Sequence, residues 1–460
     1  MEFYGREEEQ KQINYILSKN DFASGIIYGR RRLGKTELLK HCFYNSNKTF
    51  IIYQCNQENE KSNINDLVKI IKETLGIKNL FFETFVDAIE FLFEYAKNNE
   101  LCFAIDEYPY IRKIISGLDS KLQRIIDNYQ NESKIKFFLL GSSISIMESI
   151  LSESNPLYRR FNVSILLKEM DYYDSAKFYK DFSNEDKVKL YAAFGGVPFY
   201  NKQIDSKLTV KENIINLLSG QFSHLLSEIT SNIKEELTKI NNAYTVFSTI
   251  AMGAFHYSDI LSKSGISTTS TLYDTLEVLE KMDLITYVCP INDKTNKRKS
   301  GYILTDNAVY FYYRYIYHNL SIKNILSNEM FYDKYINEDF MNVVVPKVFE
   351  KISMQYLIRK NKLGLIDPII EDIGTYWYDN PKERKNGQFD LVTKSKDGYI
   401  VFEVKFTNSK IDNHIVNEEI SQVSQTNLKP INYGFISKTG FNITNNNNYI
   451  LIALDDIYYQ

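Results

Sequence analysis

Between residues 25 and 167 the chain alternates short, continuous apolar runs with longer stretches whose apolar residues recur every three or four positions. The runs at 25–28, 49–55, 101–105, 135–140 and 163–167 predict strands buried on both faces. The stretches at 65–75, 84–97 and 120–131 predict amphipathic helices between them. Strand–helix alternation of this kind implies a parallel α/β sheet. Residues 171–228 read as helical throughout, broken at Gly195-Gly196 and Pro198. A third rhythm follows: helices at 243–252, 257–263 and 269–282, then strands at 284–290 and 300–304. In the last 130 or so residues, apolar strands at 388–392 and 399–405 flank the turn Lys396-Asp397-Gly398, which predicts a hairpin.

The first strand runs into Gly29-Arg30-Arg31-Arg32-Leu33-Gly34-Lys35-Thr36, which fits G-x-x-x-x-G-K-[ST]. Residues 37–43, beginning at Glu37, continue as a helix. A strand, a glycine-bracketed loop and a helix N-terminus turn backbone N–H groups and the helix dipole toward phosphate oxygens. This predicts a nucleoside triphosphate site in which Lys35 reaches the β- and γ-phosphates and Thr36 holds Mg²⁺. The run 101–105 ends in Asp106-Glu107, two carboxylates at the C-terminal edge of a parallel strand. Asp106 is expected to hold Mg²⁺, directly or through water, and Glu107 to orient and polarise the attacking water. One strand lies between the two motifs and one follows the acidic strand, the order of the P-loop branch with an inserted strand.

These segments carry a family resemblance. Phe3-Tyr4-Gly5-Arg6-Glu7-Glu8-Glu9, the phosphate loop through Leu38, Ile105-Asp106-Glu107-Tyr108-Pro109-Tyr110, Phe138-Leu139-Leu140-Gly141-Ser142-Ser143, Pro156-Leu157-Tyr158-Arg159-Arg160 and Gly195-Gly196-Val197-Pro198-Phe199-Tyr200 resemble the signatures of the prokaryotic AAA+/STAND-type ATPases often called the archaeal ATPase family. The resemblance covers roughly the first half of the chain. It implies a P-loop NTPase core over 1–170 and a helical lid over 171–238. It also implies a sensor at Ser142 or Ser143 in place of the amide that many relatives carry. No arginine sits beside Gly195-Gly196, so Arg159 or Arg160 is expected to act on the γ-phosphate, in cis or across a homo-oligomer interface; the alternative is ordinary surface arginines. Arg30, Arg31 and Arg32 are expected to lie partly in solvent.

That family often carries a winged helix and then a restriction-endonuclease-like segment. The helix–helix–helix–strand–strand order within 239–325 matches a winged helix. As a DNA reader it would turn residues 268–273 to the major groove and Lys297, Arg298 and Lys299 to phosphate. Asp274, Glu277 and Glu280 on the same helix favour a protein-contact or interdomain role instead. Within 326–460, the spacing Asp390-x₁₂-Glu403-x-Lys405 across the hairpin resembles the PD-(D/E)XK nuclease core. Asp390 and Glu403 would hold Mg²⁺, joined by Glu350 from a helix upstream, and Lys405 would help activate water. A helix at 418–426 would offer Gln422 and Gln425. Gln388 stands where the nuclease family often has Glu.

Composition narrows the alternatives little. A net charge of −3 provides no chain-wide field to drive nucleic-acid or membrane binding. Cys42, Cys55, Cys102 and Cys289 form no C-x-x-C pair, which disfavours a zinc site or disulfide framework and fits a reducing compartment. The first twenty residues are charged and no apolar run reaches membrane-spanning length, so a soluble cytoplasmic protein is expected. Three functions follow: an ATP-driven switch coupled to DNA binding and Mg²⁺-dependent cleavage; the same ATPase with a non-cleaving adaptor that binds nucleic acid or protein; and a P-loop small-molecule kinase. The long C-terminal half and the Asp-Glu pair speak against the last.

Overall fold

A computed structural model describes residues 3–237, 240, 242–380, 385–444 and 448–459. It divides into two units, Met1–Glu169 and Met170–Gln460. Among the described residues no helix is long and apolar enough to cross a membrane.

In the first unit, strands β1 (Ala23–Tyr28), β2 (Thr49–Gln54), β3 (Leu101–Asp106), β4 (Lys136–Gly141) and β5 (Val163–Leu166) form one sheet in the order β2-β3-β4-β1-β5. Every pairing is parallel. β1, β3 and β4 are buried along their full length, as their unbroken apolar runs require. β4 lies between β1 and β3, so the loops that leave these three strands emerge side by side at one edge of the sheet. Helices Glu60–Leu75, Phe85–Tyr95 and Leu118–Tyr129 pack Leu67, Ile89, Phe93 and Leu122 into the core beside Phe103 and Phe137.

In the second unit the segment after 170 is interrupted more often than its apolar pattern suggests. Helices Tyr172–Ala176, Asn184–Phe194 and Pro198–Asn201 are separated from Val210–Ile214 by a turn at 202–209. Asn213 fixes that turn by accepting from Asp205 N and donating to Asp205 O and Leu208 O, and a Thr209–Glu212 capping box starts the next helix. Farther on come helices Ala243–Ala251, Tyr257–Ser264 and Thr269–Lys281, then the antiparallel pair β6 (Ile285–Val288) and β7 (Gly301–Leu304).

The last sheet contains β8 (Asp372–Asn380), β9 (Lys385–Lys394), β10 (Tyr399–Lys405), β12 (Pro430–Ser437) and β14 (Ile450–Ala453); β11 (Ile411–Asp412) and β13 (Phe441–Asn442) pair separately. Its order is β14-β12-β10-β9-β8. β9 pairs antiparallel with both β8 and β10, and β12 and β14 continue beside β10 in parallel. Helix Val345–Lys362 carries Glu350. The helix predicted at 418–426 spans Asn413–Ser424, started by Asp412, whose carboxylate accepts from the N–H groups of His414 and Ile415.

Candidate active site

The phosphate loop leaves the end of β1 and closes on the helix Lys35–Asn45. Its curvature needs left-handed backbone at Gly34 (φ 86°) and Arg32 (φ 66°). Gly29 (φ 144°) is pressed so closely on the residue following β5 that an added Cβ would stand 2.3 Å from the Leu167 carbonyl oxygen. Lys35 is only 6 % exposed, and its Nζ donates to the carbonyls of Gly29 (2.8 Å) and Arg30 (2.9 Å), which holds the ammonium inside the loop. Leu33 is buried and Glu37 turns to solvent, where it pairs with Lys40 at 3.6 Å.

Asp106, at the end of β3, meets this loop directly, and Glu107 follows it. Thr36 Oγ1 donates to Asp106 Oδ2 at 2.6 Å, and Asp106 Oδ1 accepts from Glu107 N at 2.9 Å. Burial raises the Asp106 pKa, the Thr36 hydrogen bond opposes the rise, and the neighbouring Glu107 charge adds to it. A buried carboxylate beside a threonine hydroxyl is a hard-oxygen pair suited to Mg²⁺, whose charge would reverse that rise. Glu107 sits in left-handed backbone (φ 52°) as the N-cap of helix Tyr108–Ile114. Its Oε2 accepts from Ser142 Oγ at 2.7 Å and Ser142 N at 3.3 Å, just past the end of β4. Ser142, the expected sensor position, thus donates directly to the acid.

The arginines separate into different environments. Arg30, expected partly in solvent, is buried, because Glu169 reaches it at 3.3 Å from far along the chain. Arg31 Nη2 donates to Tyr110 Oη on the helix after the acids, and Arg32 is exposed. Arg160 is held by Asp127 through Nε and Nη2, each at 3.0 Å. Arg159 is exposed, with left-handed backbone (φ 61°) and its guanidinium 5.0 Å from the Tyr158 ring centre. Of the two, only Arg159 presents its charge outward.

In the second unit, Asp390 and Glu403 occupy the positions next to the Leu391–Phe402 pair of the β9–β10 hairpin, so they share one face. Glu403 forms an ion pair with Lys405, two positions along the same face. The Lys405 pKa is drawn down by burial but raised overall by that pairing. Burial and then the charge of Asp390 push Glu350 up to about 8, with Glu403 adding to the rise. Sequence reasoning missed Glu419, which is 7 % exposed on helix Asn413–Ser424. Burial and then Glu403 push it up to about 8 as well. Its only sequence signal is a charged letter at a helix position whose neighbours in the repeat, Val416 and Val423, are core residues. Gln422 is turned away to Tyr378 Oη (3.0 Å), and Gln425 lies beyond the helix end. Among the described residues no three His, Cys, Asp or Glu side chains stand together as a ready metal cage. Glu350, Asp390 and Glu403 are therefore electrostatic neighbours without being preassembled: Glu403 is drawn to Lys405, and Gln388 Nε2 approaches Asp390 at 3.4 Å.

The basic loop between β6 and β7 is docked on the edge of the last sheet. Ile291 N donates to Thr375 O (2.8 Å), and Asn292 bonds both the N–H (3.0 Å) and the carbonyl (2.7 Å) of Trp377 on β8. Lys294 pairs with Asp372 at 2.6 Å. Lys299 pairs with Asp293 at 3.5 Å and lies 5.6 Å from the Trp377 ring centre, so it is not the outward phosphate contact that was expected. Lys297 and Arg298 are exposed, as are Thr268, Thr269, Ser270 and Tyr273 at the start of helix Thr269–Lys281.

Comparison with known proteins agrees with the first unit's geometry. Residues 3–204 match a family described as an ATPase domain predominantly from Archaea. Residues 312–419, which span Glu350, Asp390, Glu403, Lys405 and Glu419, match a family of archaeal and bacterial proteins of unknown function. An uncharacterized protein of Methanocaldococcus jannaschii is 29 % identical over 386 residues, 82 % of each chain. An uncharacterized ATP-binding protein of the same organism is 23 % identical over 295 residues, 52 % of this chain and 78 % of that one. Among solved structures, the Walker-type ATPase of Pyrococcus abyssi matches with a TM-score of 0.50 and 20 % identity, covering 68 % of this chain and 96 % of that one, which supports the fold. With a phosphate loop whose Thr36 meets Asp106 at the end of a parallel strand, and a match to an ATPase domain over residues 3–204, the chain is an ATP-hydrolysing enzyme of the P-loop class.

Proposed function

We propose that the chain is a Mg²⁺-dependent ATP switch whose second unit engages DNA and cuts it. The observation that carries the ATP half is the 2.6 Å hydrogen bond between Thr36 and Asp106, which brings the two expected Mg²⁺ groups together beside Lys35. Lys35 and the loop N–H groups bind the phosphates, Thr36 and Asp106 would hold the ion, which would supply charge neutralisation, and Glu107 orients and polarises the attacking water. Ser142 keeps the Glu107 carboxylate aimed, and Arg159 supplies a cation to the γ-phosphate from a second copy. The domain division is a P-loop core over 1–170, a helical lid over 171–238, a winged helix over 239–325 and a PD-(D/E)XK-like region over 326–460.

The cleavage half is supported by the electrostatic coupling among Glu350, Asp390, Glu403, Glu419 and Lys405 around β9 and β10. Hard carboxylate oxygens suit Mg²⁺, which would supply a Lewis acid there; Lys405 is placed to stabilise charge on a phosphoryl group. A second reading, an adaptor that binds without cutting, is favoured by the Glu403–Lys405 ion pair and by Gln388 beside Asp390. Incubating the full chain with ATP, Mg²⁺ and labelled duplex DNA separates the two. Cleavage that Lys405→Ala abolishes supports the first; DNA retention with no cleavage by the parent protein supports the second. Loss of ATP binding in Lys35→Ala is expected under both, and retention would refute the phosphate-loop assignment.

A further inference from the structure

We infer that Asp119 is a positioning residue of the ATPase, a carboxylate that fixes the turn bearing Glu107 against the segment following β4. Asp119 lies in the first turn of helix Leu118–Tyr129 and is 8 % exposed. Its Oδ1 accepts from Tyr108 Oη (2.6 Å) and Arg112 Nε (3.1 Å). Its Oδ2 accepts from Arg112 Nε (3.0 Å), Arg112 Nη2 (2.8 Å) and Asn155 Nδ2 (2.7 Å). Burial alone would raise the pKa of this carboxyl, yet donors from Arg112, Tyr108 and Asn155 bring it below the ordinary carboxylate value. It is a fully ionised, multiply bonded anchor.

What it anchors gives the network its meaning. Tyr108 is the residue after Glu107, fully buried, and opens the short helix that Glu107 caps. Arg112, one helical turn along the same face, also reaches Ser149 Oγ at 3.4 Å. Asn155 in turn accepts from Leu157 N at 2.9 Å, so it shapes the stretch that leads to Arg159 and Arg160. Glu107 is therefore held twice: its carboxylate by Ser142, and its backbone turn, in a left-handed conformation, through Tyr108 and Asp119. A non-glycine residue in that conformation needs such support, since it relaxes when the surroundings allow. Asp119 touches neither nucleotide group nor attacking water; it acts through Tyr108.

The inference rests on the reading of Glu107 as the water-orienting acid, and the test separates the two. Steady-state ATP hydrolysis is measured on the full chain for the parent, Glu107→Gln, Asp119→Asn and Tyr108→Phe. An amide offers one acceptor oxygen where Asp119 uses two, so Asp119→Asn is expected to lower kcat tenfold or more with KM for ATP within twofold. Tyr108→Phe, which keeps the buried ring and removes only the hydroxyl, is expected to lower kcat at least threefold, again without a KM change; it decides the matter if Asp119→Asn fails to fold. A kcat within twofold of the parent in folded Asp119→Asn, or parallel changes in kcat and KM, overturns the positioning role. Unimpaired hydrolysis by Glu107→Gln overturns the underlying reading instead.

Discussion

Asn292 ties the β6–β7 loop to β8 through two hydrogen bonds, and Asn292→Ala should loosen that loop from β8. The side chain bonds both main-chain groups of Trp377 that point away from β9, doing at a sheet edge what another strand would do. Each such bond contributes about 0.5–1.5 kcal/mol net, so the pair contributes about 1–3 kcal/mol. The Lys294–Asp372 ion pair is 59 % exposed on the lysine side, so solvent screens it and it adds little. The deeper anchor is Ile291, 9 % exposed among Phe389, Val392 and Val401, which Asn292→Ala leaves in place. The substitution should therefore raise the undocked population by roughly 5- to 150-fold without unfolding the sheet. Trp377 is the only tryptophan in the chain, so its emission reports on this edge of the sheet. The expected result is a red-shifted emission together with faster hydrogen exchange at the Trp377 amide. A folded variant in which both are unchanged would refute the strand-like role of Asn292.

Three further outcomes follow from the same geometry. Gly29→Ala places a Cβ against the Leu167 carbonyl and forces the loop off its path, so calorimetry should find ATP affinity reduced by roughly 30- to 100-fold, or about 2–3 kcal/mol; affinity within threefold of the parent contradicts it. Thr36→Val removes the hydroxyl bonded to Asp106, so nucleotide binding should weaken chiefly when Mg²⁺ is present, and equal weakening with chelator would count against the ion-holding role. Glu350 and Glu419 are both raised to about 8, so the folded chain binds more protons than the unfolded chain between the ordinary carboxylate range and pH 8. Stability of this region therefore falls as pH rises through that window and levels off above it. Glu419→Gln should stabilise at pH 8 by a few kcal/mol at most and much less at pH 5; equal denaturant midpoint shifts at the two pH values would disprove the burial argument.

The legibility of each part of the molecule follows from how its residues are spaced. The phosphate loop and the Asp106-Glu107 pair were readable because each is a contiguous run whose backbone does the work. Parallel strands buried on both faces announce themselves as unbroken apolar runs, and the predicted strand positions fall within a residue or two of the observed ones. Arg30 was misread because three adjacent arginines look alike in sequence, while Glu169, the partner that buries one of them, stands at the end of the same unit. The turn at 202–209 was missed because polar letters there also occur in exposed helices; only the bonds from Asn213 distinguish it.

The same reasoning explains why Asp119, Glu419 and Asn292 left no usable mark. Each is a single polar residue in an ordinary amphipathic or loop context, and each acquires its role from partners brought together by packing. Asp119 sits at a first-turn position where an acidic residue is already favoured by the helix dipole, so its presence needs no other explanation until Tyr108, Arg112 and Asn155 converge on it. Asn292 lies in a basic, turn-rich stretch whose composition points to solvent or phosphate, whereas β8 offers it an unpaired strand edge some eighty positions later. That docking also changes what the basic loop can do. Under the proposed DNA binding, a phosphate backbone seeking Lys294 or Lys299 would have to compete with Asp372, Asp293 and the Trp377 ring, which makes the exposed Lys297 and Arg298 the readier contacts. Charge reversal at Lys297 and Arg298 should therefore weaken duplex binding more than reversal at Lys294 and Lys299, in a fluorescence-anisotropy titration at fixed salt. The opposite ranking would mean that the loop leaves the sheet edge when it meets its partner.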